Sequence, residues 1–101
     1  MTTTSIPFQD TLLESLKDPA HAQTYLDVAL EDYAQDGDWP FFLTALRNVA
    51  EANGGLGVLA EKSNLNRQNL YKALSTTGNP KLGTLGAILR PLGLRLSVQP
   101  L

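Results

Sequence analysis

The chain has 101 residues, contains no cysteine and carries a formal net charge of -2 at pH 7. This length suits one globular domain and argues against a two-domain enzyme with a cleft between its domains. The lack of cysteine excludes disulfide frameworks, thiolate zinc sites and cysteine nucleophiles. No apolar run approaches the roughly 20 residues of a membrane-spanning helix, and the first ten residues lack the features of a secretory signal, so we expect a cytoplasmic protein without a membrane partner.

The charges are divided unevenly along the chain. Residues 1–46 contain one basic and eight acidic residues, a net charge of -7, whereas residues 47–101 contain seven basic and two acidic residues, a net charge of +5. An asymmetry of this kind is typical of chains in which one segment binds a polyanion. The near-neutral total therefore does not argue against a nucleic-acid partner.

A lead-in and two helices are predicted for the first half. Residues 1–10 are rich in threonine and interrupted by a proline, which predicts a poorly ordered lead-in. Asp18 followed by proline predicts the start of a helix that ends near Gly37. Asp38 can cap a second helix, which the glycine pair at 54–55 should end. Their apolar residues at helical spacing are Ala22, Leu26, Ala29, Leu30 and Tyr33, and Phe42, Leu46, Val49 and Ala50.

Two short helices and a longer one are predicted to follow. The first begins near Leu56 and is followed by a tight break at residues 63–65. Asn66 is a good N-cap for the second, over residues 67–74. The sequence Gly-Asn-Pro at 78–80 is a strong turn signal and predicts the start of the last helix.

The C-terminal end predicts a strand and a dimer. Pro91 should end or kink the last helix. Residues 94–98 alternate apolar and polar side chains, the pattern of a half-buried strand. A lone strand has no partner for its backbone groups, and pairing with a second copy would supply one. We therefore expect a homodimer whose interface contains Leu94, Leu96 and Val98.

Residues 56–74 have the framework of a helix-turn-helix. The first helix must pack closely under the second, which favours a small residue in its middle, and Ala60 has that place. The turn needs a residue that tolerates left-handed backbone angles, and Asn64 is the best choice after glycine. Leu65, just after the turn, should enter the core.

The outward face of the second short helix carries side chains that suit DNA. Arginine and lysine can bind guanine O6 and N7, and glutamine and asparagine can bind adenine N6 and N7. The candidates for base contacts are Arg67, Gln68, Asn69, Tyr71 and Lys72, and the candidates for phosphate contacts are Lys62, Asn66, Ser75 and Lys81. Two alternatives stay open, since a basic helix face is often only solvated and Tyr71 can instead serve core or dimer packing.

The stretch from Leu59 to Val98 resembles the HigA-like addiction-module antidotes, which carry a helix-turn-helix of the Cro and lambda-repressor (XRE) type. The features that carry the resemblance are Leu70-Tyr71-Lys72-Ala73-Leu74, the turn Gly78-Asn79-Pro80, and Leu92-Gly93-Leu94-Arg95-Leu96. The resemblance implies an antitoxin of a type II toxin–antitoxin module. Such a protein binds a double-stranded DNA operator, represses its own operon and neutralises a RelE/ParE-like toxin.

The fold that these observations imply is all-α. We expect a lambda-repressor-like helix-turn-helix domain of five to six helices, with an N-terminal helical extension and a short C-terminal β-strand. The acidic tail and first helix would occupy residues 1–37, and the DNA-binding domain with its dimerisation strand residues 38–101. Gly57 and Val58 depart from the family, because many relatives carry there a polar Thr-Gln pair that can contact phosphate.

The acidic face of the first long helix leaves two interpretations open. Asp27, Glu31 and Asp32 should face solvent. They either keep the protein soluble or meet the cationic surface expected of a toxin that acts on ribosomes or nucleic acid, where opposite charge speeds the encounter.

The sequence supports a nucleotide site, a calcium site or a catalytic site less well than a DNA-binding site. The G-x-G-x-x-A pattern at residues 55–60 follows a helix instead of a strand, so it does not predict a nucleotide site. The stretch 36–38 lacks the later ligands of a calcium loop, and His21 is the only histidine. We therefore expect no enzyme, no metal and no cofactor. Two rival functions remain: a phage-type Cro-like repressor without a toxin, and a toxin-binding module without DNA binding.

Overall fold

A computed structural model describes residues 8–101 of the chain. These residues form six α-helices and one 3-10 helix, and they contain no strand. The helices are α1 (Phe8–Ser15), α2 (Pro19–Asp36), α3 (Trp39–Ala52), α4 (Gly55–Ser63), α5 (Arg67–Ala73) and α6 (Leu82–Leu89), and the 3-10 helix Arg90–Leu92 follows α6 directly. The prediction of an all-α fold is confirmed for this part of the chain.

The predicted caps set the start of α2, the end of α2 and the start of α3. The Asp18 carboxylate accepts a hydrogen bond of 2.9 Å from the backbone N–H of Ala20, at the start of α2. Gly37 ends α2 in the left-handed region, at φ 70°. The Asp38 carboxylate then accepts from the N–H of Phe41 at 3.1 Å and starts α3.

The core is built around α3, which packs against α1, α2 and α4. Its residues Leu43, Leu46 and Val49 have no solvent exposure. Leu70 of the short helix α5 and Leu74, which follows the helix directly, are also buried. One continuous cluster of apolar residues therefore joins the first helices of the chain to the segment that carries the candidate site.

The predicted lead-in is wrong for residues 8–10, because they begin α1. The other seven residues of that predicted segment lie outside the described part of the chain. Leu12 and Leu13 pack against the core, and Leu16, just after α1, is 2% exposed. Burial of these leucines stabilises a short helix that local sequence signals alone do not predict.

The last helix begins later than predicted. Its N-cap is Lys81, with ψ 161°, so residues 79 and 80 lie before the helix. Asn79 precedes a proline, and such a residue avoids helical backbone angles. Pro91 does end the α-helix: the chain continues from Leu89 as a single 3-10 turn.

The prediction of a strand at 94–98 is wrong for the single chain. These residues are neither helix nor strand, because residues 8–101 contain no second strand with which they could pair. Leu94 packs against the core, whereas Leu96 is 41% and Val98 98% exposed. Exposure therefore increases along the alternating pattern, and only Val98 is almost wholly uncovered. No helix in the described range is long and apolar enough to cross a membrane.

Candidate nucleic-acid interface

A three-residue turn joins α4 to α5. Asn64 has φ 62° and is the non-glycine residue at positive φ within residues 8–101, as predicted for this position. The backbone N–H of Leu65 donates to the Ala60 carbonyl at 3.0 Å, which closes the end of α4. The turn thus reverses the chain sharply enough for the two helices to pack against each other.

The start of α5 is fixed by the predicted cap. The side-chain oxygen of Asn66 accepts a hydrogen bond of 3.0 Å from the backbone N–H of Asn69. Ala60 is 4% exposed, and Leu65 is half-buried against the core. The small residue in α4, the left-handed turn and the apolar residue after it all occupy the places that the sequence predicted.

The end of α5 is held by Arg47, a residue that the sequence analysis counted only as a charge. Its guanidinium donates to the carbonyl oxygen of Leu74 and, at 3.2 Å, to the hydroxyl of Thr44. The bond to Leu74 ties α3 to the end of α5, and the bond to Thr44, within α3, helps to orient the guanidinium. No local pattern distinguishes such an arginine from an exposed one, because its partner is 27 residues away in the sequence.

The predicted base-contact residues are the five exposed residues of α5, and they lie on more than one side of the helix. Arg67, Gln68, Asn69, Tyr71 and Lys72 are all exposed. Tyr71 is 46% exposed, which argues against a role in the core of the single chain. Among residues 8–101 the ion pair is Lys17 with Glu14 at 3.0 Å, so neither Arg67 nor Lys72 forms an ion pair, although Glu51 and Glu61 line the same depression as Arg67.

Seven of the nine candidate residues line three separate depressions. A depression between α5 and the following loop is lined by Asn66, Asn69, Lys72 and Lys81. On the other side of α5, Arg67 and Tyr71 line a second depression, together with the first turn of α4 and the carboxylate side chains Glu51 and Glu61.

Of the other two phosphate candidates, Lys62 lies apart from these groups, whereas Ser75 is bonded to the backbone of Lys72. Lys62 lines a separate surface with Arg90 and Arg95. The Ser75 hydroxyl donates to the carbonyl of Lys72 at 2.8 Å and so closes the end of α5. The structure thus brings Asn66 and Lys81 together with the base candidates Asn69 and Lys72. It places Lys62 beside Arg90 and Arg95, which the sequence did not indicate as contact residues.

The acidic face of α2 has the predicted composition. Asp27 and Glu31 are exposed, and Asp32 is half-buried. Val28, between them, is 50% exposed. This face carries negative charge around an uncovered apolar side chain.

The sequence was compared with known proteins and solved structures. Residues 8–100 match a protein family described as "Probable addiction module antidote protein". A relative from Haemophilus influenzae strain Rd, described as "Uncharacterized protein", is 34% identical over 86 residues, which are 85% of this chain and 84% of the relative. No solved structure matches. The chain belongs to the family of probable addiction module antidote proteins.

Proposed function

We propose that this protein is a DNA-binding antitoxin that represses its own operon. In this proposal α4 and α5 are a helix-turn-helix of the Cro and lambda-repressor type, and α5 enters the major groove of the operator. The observation that carries the proposal is the exposed polar face of α5, on a short helix that is fixed at both ends by Asn66 and Arg47. A helix that is held at both ends and presents exposed hydrogen-bond donors suits direct recognition of base edges.

The side chains divide into two roles in this proposal. Arg67, Gln68, Asn69, Tyr71 and Lys72 face the bases. Lys62, Asn66, Ser75 and Lys81 contact phosphates and set the register without reading sequence. The position of Asn66 and Lys81 beside Lys72 supports a phosphate contact next to the base-reading face.

A homodimer completes the proposed repressor. Two copies of α5 related by a two-fold axis would enter successive major grooves about 34 Å apart, so the operator would be a pseudo-palindrome. The exposed side chains of Leu96 and Val98 support a dimer interface at the C-terminal segment. Leu94 would form the inner edge of this interface. Residues 94–98 would gain their strand partner from the second copy.

The toxin is the second proposed partner. Membership in an antidote family implies a toxin of some kind. We assign to it the acidic face of α2, with Asp27, Glu31 and Asp32 opposite a basic RelE/ParE-like surface, because opposite charges favour association.

A mobility-shift titration on the DNA that precedes the gene tests the proposal. We expect a retarded complex whose affinity falls steeply as salt rises from 50 to 200 mM, because phosphate contacts release counterions. A toxin-binding module without DNA binding predicts no shift. A phage-type repressor without a toxin predicts the shift but no small basic open reading frame beside the gene.

A further inference from the structure

The guanidinium of Arg67 is held by a residue of its own helix. Its Nε lies 3.4 Å and its Nη2 3.3 Å from the hydroxyl oxygen of Tyr71, which accepts from both. Its Cζ lies 5.6 Å from the centroid of the Tyr71 ring, within the range of cation–π attraction. The two residues are four positions apart and therefore face each other across one helical turn.

This contact uses one edge of the guanidinium and leaves the other unoccupied. Nε and one hydrogen of Nη2 point to Tyr71. Nη1 and the second hydrogen of Nη2 form the outer edge, and Nη1 makes no hydrogen bond within residues 8–101. Two parallel N–H groups in a fixed plane are the donor set that binds O6 and N7 of guanine.

Gly57 allows the guanidinium to lie against α4. A Cβ atom at residue 57 would be 3.3 Å from both Cζ and Nη2 of Arg67, which is tighter than an ordinary contact. Gly57 is not among the glycines with positive φ, so its backbone angles do not require glycine. The missing side chain makes room for the guanidinium of Arg67.

We infer that Tyr71 and Gly57 orient Arg67 so that its outer edge reads a guanine in each half-site. Tyr71 is then a positioning residue and not a base reader. The inference rests on the proposed function. Its physical basis is that a long exposed side chain loses less rotamer freedom on binding when a neighbour already holds it in place.

Selection of duplexes from a library of random sequence tests the inference. We expect the wild-type protein to enrich a pseudo-palindrome with one strongly preferred guanine in each half-site. Arg67→Ala should lower that preference by roughly 5- to 150-fold. Tyr71→Phe keeps the ring and removes the acceptor, so it should lower the same preference by roughly 2- to 10-fold and leave the other positions unchanged.

Two further variants separate positioning from stability. Gly57→Ala should weaken the same guanine preference without lowering Tm, because alanine favours a helix more than glycine does. Tyr33→Phe alters another exposed tyrosine, on α2, and should leave the selected sequence unchanged.

The possible outcomes separate the inference from the proposed function. A wild-type protein that enriches no sequence contradicts both. A guanine preference that survives in Tyr71→Phe overturns the inference alone. The same holds if Tyr71→Phe lowers Tm and weakens binding to every duplex equally, since Tyr71 would then only stabilise α5.

Discussion

Gly78 lies where the chain passes closest to the end of α5. A Cβ atom at this residue would lie 2.0 Å from the carbonyl oxygen of Ala73 and 2.7 Å from that of Lys72. Its backbone N–H donates to the Ser75 carbonyl at 2.9 Å. Any side chain at residue 78 would overlap these backbone atoms, so the position requires glycine. The close turn at Gly78 leads the chain from the end of α5 towards Lys81.

Replacement of Gly78 by alanine should destabilise the protein by about 1–3 kcal/mol, because backbone atoms have to move to remove the overlap. The matched control is Gly83→Ala in α6, where an added Cβ would meet nothing within 4 Å. This control should stabilise by about 0.5–1 kcal/mol, since alanine is the better helix former. Urea unfolding measures both, and equal effects of the two variants would contradict the assigned role of Gly78.

The residues that could be predicted are those whose role depends on local backbone geometry. Asn64 at the left-handed turn and Asn66 at the helix start follow from residue type and position. The roles of Arg47 and Gly57 depend on which residues the fold brings beside them. Those neighbours are set by tertiary packing, which residue type and spacing do not specify.

Among the helices, α5 depends most on its surroundings. It has seven residues, too few to be stable alone in water. The cap at Asn66, the burial of Leu70 and Leu74 and the bonds from Arg47 compensate for this. The candidate interface is consequently rigid only within the folded domain.

Arg47→Met should lower the free energy of unfolding by about 1–3 kcal/mol, because the carbonyl of Leu74 loses its partner in a half-buried place. The matched control is Arg90→Met, which removes an exposed arginine and should change stability by less than about 0.5 kcal/mol. Amide hydrogen exchange should be faster in α5 for Arg47→Met. Unchanged exchange in α5 would contradict the anchoring role of Arg47.

The boundaries of the helices show which elements local sequence signals predict and which they miss. The caps of α2, α3 and α5 were predicted correctly because each is formed by a side chain within three residues of its partner. Helix α1 was missed because packing of Leu16 and its neighbours stabilises it. The strand at 94–98 was predicted from alternation alone, but a strand also needs a partner, which the single chain does not supply.

At the scale of the whole molecule, the charge asymmetry is only partly a division between surfaces, because Asp27 and Arg95 line one depression and Arg67 shares another with Glu51 and Glu61. Of the acidic residues of α2, Asp27, Glu31 and Asp36 are exposed and Asp32 is half-buried, whereas Arg47 is half-buried and bonded to the carbonyl of Leu74. The exposed basic residues of the second half are Lys62, Arg67, Lys72, Lys81, Arg90 and Arg95. In the proposed function these residues, on α4, on α5 and around α6, supply the cationic groups that DNA would meet.

Sedimentation equilibrium at micromolar concentration should detect a dimer. Val98→Asp should shift the protein to monomer, because a charge would replace an apolar side chain at the proposed interface. The matched control is Val28→Asp, at an exposed valine of α2, which should remain dimeric. A monomeric wild-type protein would contradict the proposed dimer.

The most direct test of the central claim compares two DNA duplexes by fluorescence anisotropy. One carries the sequence that precedes the gene and the other the same bases in scrambled order. We predict that the wild-type protein prefers the first and that Gln68→Ala reduces the preference by about 1–3 kcal/mol, whereas Gln35→Ala on α2 leaves it unchanged. Equal binding of both duplexes by the wild-type protein, or equal loss on both in Gln68→Ala, would contradict the claim that α5 reads DNA sequence.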